Sequence, residues 1–220
     1  MKSLKTRLTA VCVTGLLSLF ALLPTVHASA AAAQEWNFRV YLDDKPIGYH
    51  HFKLTQTGAS EQLSTAANLD VEFLMITVFK YRHDNVEHWD NRCLSSITST
   101  TDENGKLFHV DGAVTDRGFR LSTAEGETTL PACISTFAYW DKSFLQHDRL
   151  LNSQNGEFMN VETDYLGEHS VKVRETSVAA TRYRLSGEDL DIELWYSHND
   201  QWLGLQSTTS SGRLLRYVIE

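Results

Sequence analysis

Apolar and polar residues alternate along most of this chain. Trp36, Phe38, Val40 and Leu42 fall on one face of an extended segment, with Asn37, Arg39, Tyr41 and Asp43 on the other. Period two is the pattern of a half-buried strand. Asp43-Asp44-Lys45-Pro46 supplies turn chemistry. A second strand then runs over residues 47–56, and Thr57-Gly58-Ala59-Ser60 turns the chain again. Residues 63–81 form a long segment rich in β-branched and aromatic side chains towards its end, and 86–89 continue the pattern.

The punctuation stays regular afterwards. Asn104-Gly105, Arg117-Gly118, Glu125-Gly126, Leu166-Gly167, Ser186-Gly187 and Ser211-Gly212 are spaced like hairpin turns. Strand-like runs lie between them, at 107–114, 158–165, 170–175, 182–185, 190–196, 202–208 and 214–219. In 190–196, Leu190, Ile192, Leu194 and Tyr196 share one face, and Asp191, Glu193 and Trp195 share the other. One stretch breaks the pattern. Residues 135–151 lack turn signals and hold Phe137, Trp140 and Phe144 at i, i+3 and i+7, with Ser135 or Thr136 as a cap. That spacing predicts one short helix over about 135–151. The fold class expected is mainly β: a strongly curved antiparallel sheet, half-barrel or barrel, with the helix packed on or in it.

The first thirty residues form a different unit. Lys2, Lys5 and Arg7 precede an uncharged, largely apolar run over 8–23, then Pro24 and Ala28-Ser29-Ala30. This is the layout of a secretory signal peptide cut after Ala30, or slightly earlier after Ala28. The run of roughly 16 residues falls short of the ~20 needed to span a bilayer. The expectation is a cleaved leader over 1–30, one antiparallel β domain over 31–220 and a periplasmic location. Loss of the three leader cations takes the formal charge from −8 to −11. Such an acidic chain is repelled by phosphates, which argues against nucleic acid and anionic lipid surfaces as partners.

Two cysteines remain after the leader, Cys93 and Cys133. Export to an oxidising compartment predicts that they pair, with two buried thiols as the alternative. They form no C-x-x-C motif, so a redox role has no support.

Other chemistry is thinly signalled. His50-His51 are adjacent and would face opposite ways on a strand. His83 and His88 are five apart and also diverge, whereas His83 shares a face with Glu87. These groups are expected on a solvated sheet face, and no metal spacing is present. No G-x-S-x-G elbow and no Gly-rich phosphate loop occur. Carboxylate pairs for glycoside chemistry could be drawn from Glu87, Asp90, Asp189, Asp191 and Glu193, with Asp191 and Glu193 on one strand face, but a solvated edge is the simpler reading. The aromatic content is the remaining clue. Phe137, Trp140, Phe144, Trp195 and Tyr196 are the candidate ligand-binding residues, since such side chains dominate apolar pockets.

Three stretches carry a resemblance: Trp36-Asn37-Phe38 with Tyr41-Leu42-Asp43 and Ile47-Gly48; Leu130-Pro131-Ala132-Cys133 with Thr136-Phe137-Ala138-Tyr139-Trp140; and Gly212-Arg213-Leu214-Leu215-Arg216-Tyr217. Together they resemble a family of uncharacterised secreted bacterial β proteins, a domain of unknown function. That resemblance implies no activity and no catalytic residues. The element order is also similar, at the level of architecture, to the periplasmic lipoprotein-carrier fold, a half-barrel covering a helix. The function expected is non-enzymatic binding of a lipophilic or other apolar molecule in a curved-sheet pocket, with no cofactor and no metal. The alternatives are an enzyme of lipid or small-molecule metabolism using the same pocket, and a structural or partner-binding module with a filled core.

Overall fold

The computed structural model describes residues 32–220 apart from Met75 and Glu175. The leader expected over residues 1–30 and its cleavage point lie outside the described residues. Alternation becomes strand almost throughout. In chain order the strands are β1 Ala32–Leu42, β2 Lys45–Thr57, β3 Ser60–Phe73, β4 Ile76–Asp90, β5 Cys93–Glu103, β6 Lys106–Thr115, β7 Gly118–Thr123 and β8 Gly126–Leu130. After a long connection come β9 Arg149–Leu151, β10 Phe158–Val173, β11 Thr176–Gly187, β12 Leu190–Tyr196, β13 Trp202–Thr208 and β14 Leu214–Ile219.

All fourteen belong to one open, curved antiparallel sheet, in the order β8-β7-β6-β5-β4-β3-β2-β1-β14-β13-β12-β11-β10-β9. Sequence neighbours pair at every step but one. The exception joins the two halves, with β1 against β14 from Phe38↔Ile219 to Leu42↔Leu215. Trp36, Phe38, Val40 and Leu42 are all buried, so the first strand's apolar face is the core face. Phe38 is the hub. Its ring meets those of Phe52, Trp202 and Tyr217 at 4.5–6.1 Å between centroids. Opposite Val40, β2 needs Gly48, where the β1–β2 register shifts between Val40 and Tyr41. Gly48 has φ +150°, and a Cβ there would sit 1.9 Å from the Asn68 carbonyl oxygen. Only glycine permits that approach of β3.

Local signals misplace some boundaries. The apolar stretch 63–81 is two strands, β3 and β4, because Leu74 turns with φ +49° without any glycine, proline or asparagine. Arg174, with φ +52°, does the same between β10 and β11. Leu166-Gly167, which looks like a hairpin turn, lies inside β10. There the register slips between Tyr165 and Gly167, and Gly167 (φ +91°) forms a bulge.

The helix expected over 135–151 is replaced by a strap that crosses the concave side of the sheet from β8 to β9. Only Lys142–Gln146 is helical, as a 3-10 turn whose start Asp141 caps by accepting from the Ser143 N–H at 3.0 Å. The strap spends its backbone groups on strands instead. Leu94 N–H donates to Ile134 O at 3.0 Å, Leu151 N–H donates to Ser135 O at 2.9 Å, and Thr136 bridges Leu151 in parallel. Cys93 and Cys133 form a disulfide, with Cα atoms 4.9 Å apart, which ties the strap's start to the head of β5. Of the three aromatics whose spacing suggests a helix, only Phe144 is in a helical turn. A marginal helix of this length is readily displaced by such competing bonds.

Candidate functional site

The inner face of β2–β5 is polar at its centre. Pairing aligns three rows across these strands: His50, Ala67, His83 and Thr101; Phe52, Thr65, Asn85 and Ser99; and Leu54, Leu63, Glu87 and Ile97. On β4, His83, Asn85, Glu87 and Trp89 point inward, and Asp84, Val86, His88 and Asp90 point outward. The expectation of a solvated face for His83 and Glu87 is thus overturned: they are 3% and 2% exposed. Both faces of β4 are polar, so hydropathy alone does not say which is inside. Trp89 does. It shares its side with Glu87, Asn85 and His83, and a tryptophan of that kind anchors the core side.

The strap and the loop that follows β9 cover this band. The Ser99 hydroxyl donates to Ser153 O, and the Thr101 hydroxyl donates to Gln154 O at 2.8 Å. Glu87 is held from three sides. Its Oε1 accepts from Asn85 Nδ2 at 2.9 Å, and its Oε2 accepts from Trp89 Nε1 at 3.0 Å and from the Thr136 hydroxyl at 3.2 Å. Burial still outweighs these donors and raises the Glu87 carboxyl above its ordinary range. Burial also lowers His83 to about 4. His50 is held well below its usual value, by burial first and then by His83 and His51. Both imidazoles are neutral at neutral pH.

A cavity of about 100 Å³ remains between band and strap. His50, Thr65, His83, Asn85, Phe137 and Tyr139 are among its walls. Three of these residues carry buried polar atoms without a hydrogen-bond partner: His50 Nε2, Thr65 Oγ1 and Asn85 Oδ1. Orphaned polar atoms of this kind cost about 1–3 kcal/mol each. Their concentration around one cavity marks it as the site.

The aromatic candidates separate. Phe137 lines this cavity. Trp140 stands edge-on to Trp89, 5.7 Å between centroids, and lines a different, open cleft of about 680 Å³ with Gln56, Glu61 and Tyr183. Phe144 and Tyr196 are core, and the Tyr196 hydroxyl donates to Tyr139 O at 2.9 Å. Trp195 sits on the opposite side of β12 from Tyr196, under the Arg182 guanidinium at 5.6 Å. Asp191 and Glu193 share that side and are ion-paired, Asp191 to Arg184 in a two-pronged contact at 2.8 and 2.9 Å and Glu193 to Arg182. They form no acid–base pair over a pocket.

Among the described residues, no three His, Cys, Asp or Glu side chains converge as a metal site, and no helix is long and apolar enough to cross a membrane. The Ser99 and Thr101 protons go to the carbonyls of Ser153 and Gln154, so neither of these hydroxyls is activated by a histidine.

Residues 38–220 match the family model described as Domain of unknown function (DUF6134). The chain belongs to this family. No curated protein matches it. Among solved structures, a beta-barrel-like protein of the domain of unknown function DUF1849 from Brucella abortus superposes with a TM-score of 0.62. The two are 7% identical, and the match covers 86% of this chain and 95% of the other. At that identity the likeness concerns the fold alone, and it agrees with the curved β architecture of this DUF6134 member.

Proposed function

We propose that this chain is an exported envelope protein that binds a small polar molecule, without catalysis, in the cavity between the β2–β5 band and the strap. The observation that carries this reading is the set of buried, unpartnered atoms around the cavity, His50 Nε2, Thr65 Oγ1 and Asn85 Oδ1. An occupant that pairs with them recovers their desolvation cost. This replaces the lipophilic ligand expected from the aromatic residues. Those residues do not form one wall, and about 100 Å³ is less than the 150 Å³ or so that accommodates benzene. Export rests on the leader pattern of residues 1–30.

Native mass spectrometry of the mature protein, purified gently from the envelope fraction, tests the reading. The expected result is a small non-lipid adduct on the wild type that is absent from folded Asn85→Leu. A lipid adduct, or identical bare spectra for both proteins, would refute it.

A further inference from the structure

We infer that the group seated in the His50–His83 pocket is a small primary ammonium. This rests on the pocket being a polar ligand site and names the chemistry it takes. The direction of the hydrogen bonds carries the argument. The Thr101 hydroxyl has one proton, and it goes to the Gln154 carbonyl, which can only accept. The same oxygen lies 2.9 Å from His83 Nδ1 and must accept from it. His83 therefore carries its proton on Nδ1, and its Nε2 is a lone pair. Asn85 spends its Nδ2 on Glu87 Oε1, which leaves Oδ1 as a buried acceptor with no donor. Thr65 pairs with Asn85 across β3 and β4, and its Oγ1 is also unpartnered. Directly opposed residues of this kind hold their Cβ atoms about 5 Å apart.

The His83 Nε2 lone pair, Asn85 Oδ1 and the Thr65 hydroxyl oxygen, which accepts as readily as it donates, lie on two adjacent rows and suit a group with three N–H donors, which an ammonium is. The walls add to this. Among the described residues no lysine or arginine lines the cavity, whereas Phe52, Phe137 and Tyr139 do, and aromatic faces attract cations. A carboxylate or phosphate would meet the lone pairs of His83 Nε2 and Asn85 Oδ1 and no positive charge. An acyl chain would leave all three acceptors unpaired.

Thermal unfolding of the mature protein with methylammonium, tetramethylammonium, acetate, acetamide and zinc salts, at matched ionic strength, tests the proposal. Binding to the native state raises the melting temperature by mass action. Methylammonium is expected to give a saturable rise, and tetramethylammonium, which has no N–H, none. The rise should be lost in Thr65→Val, a near-isosteric change that leaves the fold intact, and in Asn85→Leu. A saturable rise with acetamide or acetate in place of methylammonium keeps the polar pocket and overturns the ammonium. A zinc response abolished by His50→Ala overturns it in favour of a metal. No response to any probe, together with unchanged behaviour of both variants, overturns the pocket itself.

Discussion

His50 on β2 and His83 on β4 meet edge to face, 6.4 Å between ring centroids, across the intervening strand β3. Ala67 stands between them in the same row. Its methyl group is what lets two imidazoles two strands apart lean together. Ala67→Leu is expected to wedge the rings apart, fill the cavity and cost about 1–3 kcal/mol by overpacking. Urea denaturation measures the cost. A neutral Ala67→Leu would show that the rings have room to separate.

The same pair sets an acid limb of stability. Folded His83 titrates at about 4 against an ordinary 6.5. Between those values the unfolded chain binds more protons, so stability falls as pH drops from 6.5 towards 4 and levels off below. The contribution is on the order of 3 kcal/mol for His83, and His50 acts in the same direction. Denaturant unfolding from pH 7 to 4 should lose this slope in part in His83→Gln. Glu87 has the opposite sign. Its raised carboxyl stabilises the folded state fully below the ordinary 4.5, and that contribution is lost as pH rises through the folded value. Glu87→Gln should flatten that higher limb.

The Cys93–Cys133 bond closes a loop with a sequence separation of 40. In the chain-entropy model such closure stabilises by about 4 kcal/mol. Double replacement by alanine should therefore lower the free energy of unfolding by about that amount and loosen the strap. Thiol labelling of the unreduced, denatured protein should find no free cysteine in the mature chain.

Trp140 is part-buried and leans on Trp89, and its Nε1 is buried without an acceptor. Trp140→Ala is expected to cost less than the ~3–5 kcal/mol of a fully buried aromatic. It should leave the methylammonium response intact, because Trp140 faces the outer cleft. A lost response in a folded Trp140→Ala would place the ring in the inner site.

The leader makes a prediction about mass. Protein from the envelope fraction should begin near Ala31, with residues 1–30 removed. An intact mass that includes the leader contradicts this.

Much of the fold was legible along the chain, because strand alternation is a local property. The buried faces of β1 and β12 follow from the parity of Trp36, Phe38 and Val40 and of Ile192, Leu194 and Tyr196, and turns such as Asn104-Gly105 announce themselves. The acidic charge and the two cysteines beyond residue 30 are equally local signals. The turns at Leu74 and Arg174 were not legible, since each takes a positive φ on a residue with no intrinsic preference for it.

The site is a tertiary matter for a different reason. β4 is polar on both faces and Trp89 alone marks the inner one, while the curvature of the whole sheet and the strap closing over it are what bury His83, Asn85 and Glu87. The strap's path is likewise set by distant partners, Cys93, Leu94 and Leu151, whose bonds override the helical spacing of Phe137, Trp140 and Phe144. Composition and periodicity determine that this chain builds a curved antiparallel sheet. Which polar groups that sheet encloses depends on register between strands far apart in sequence, and that is decided only when the sheet closes on its core.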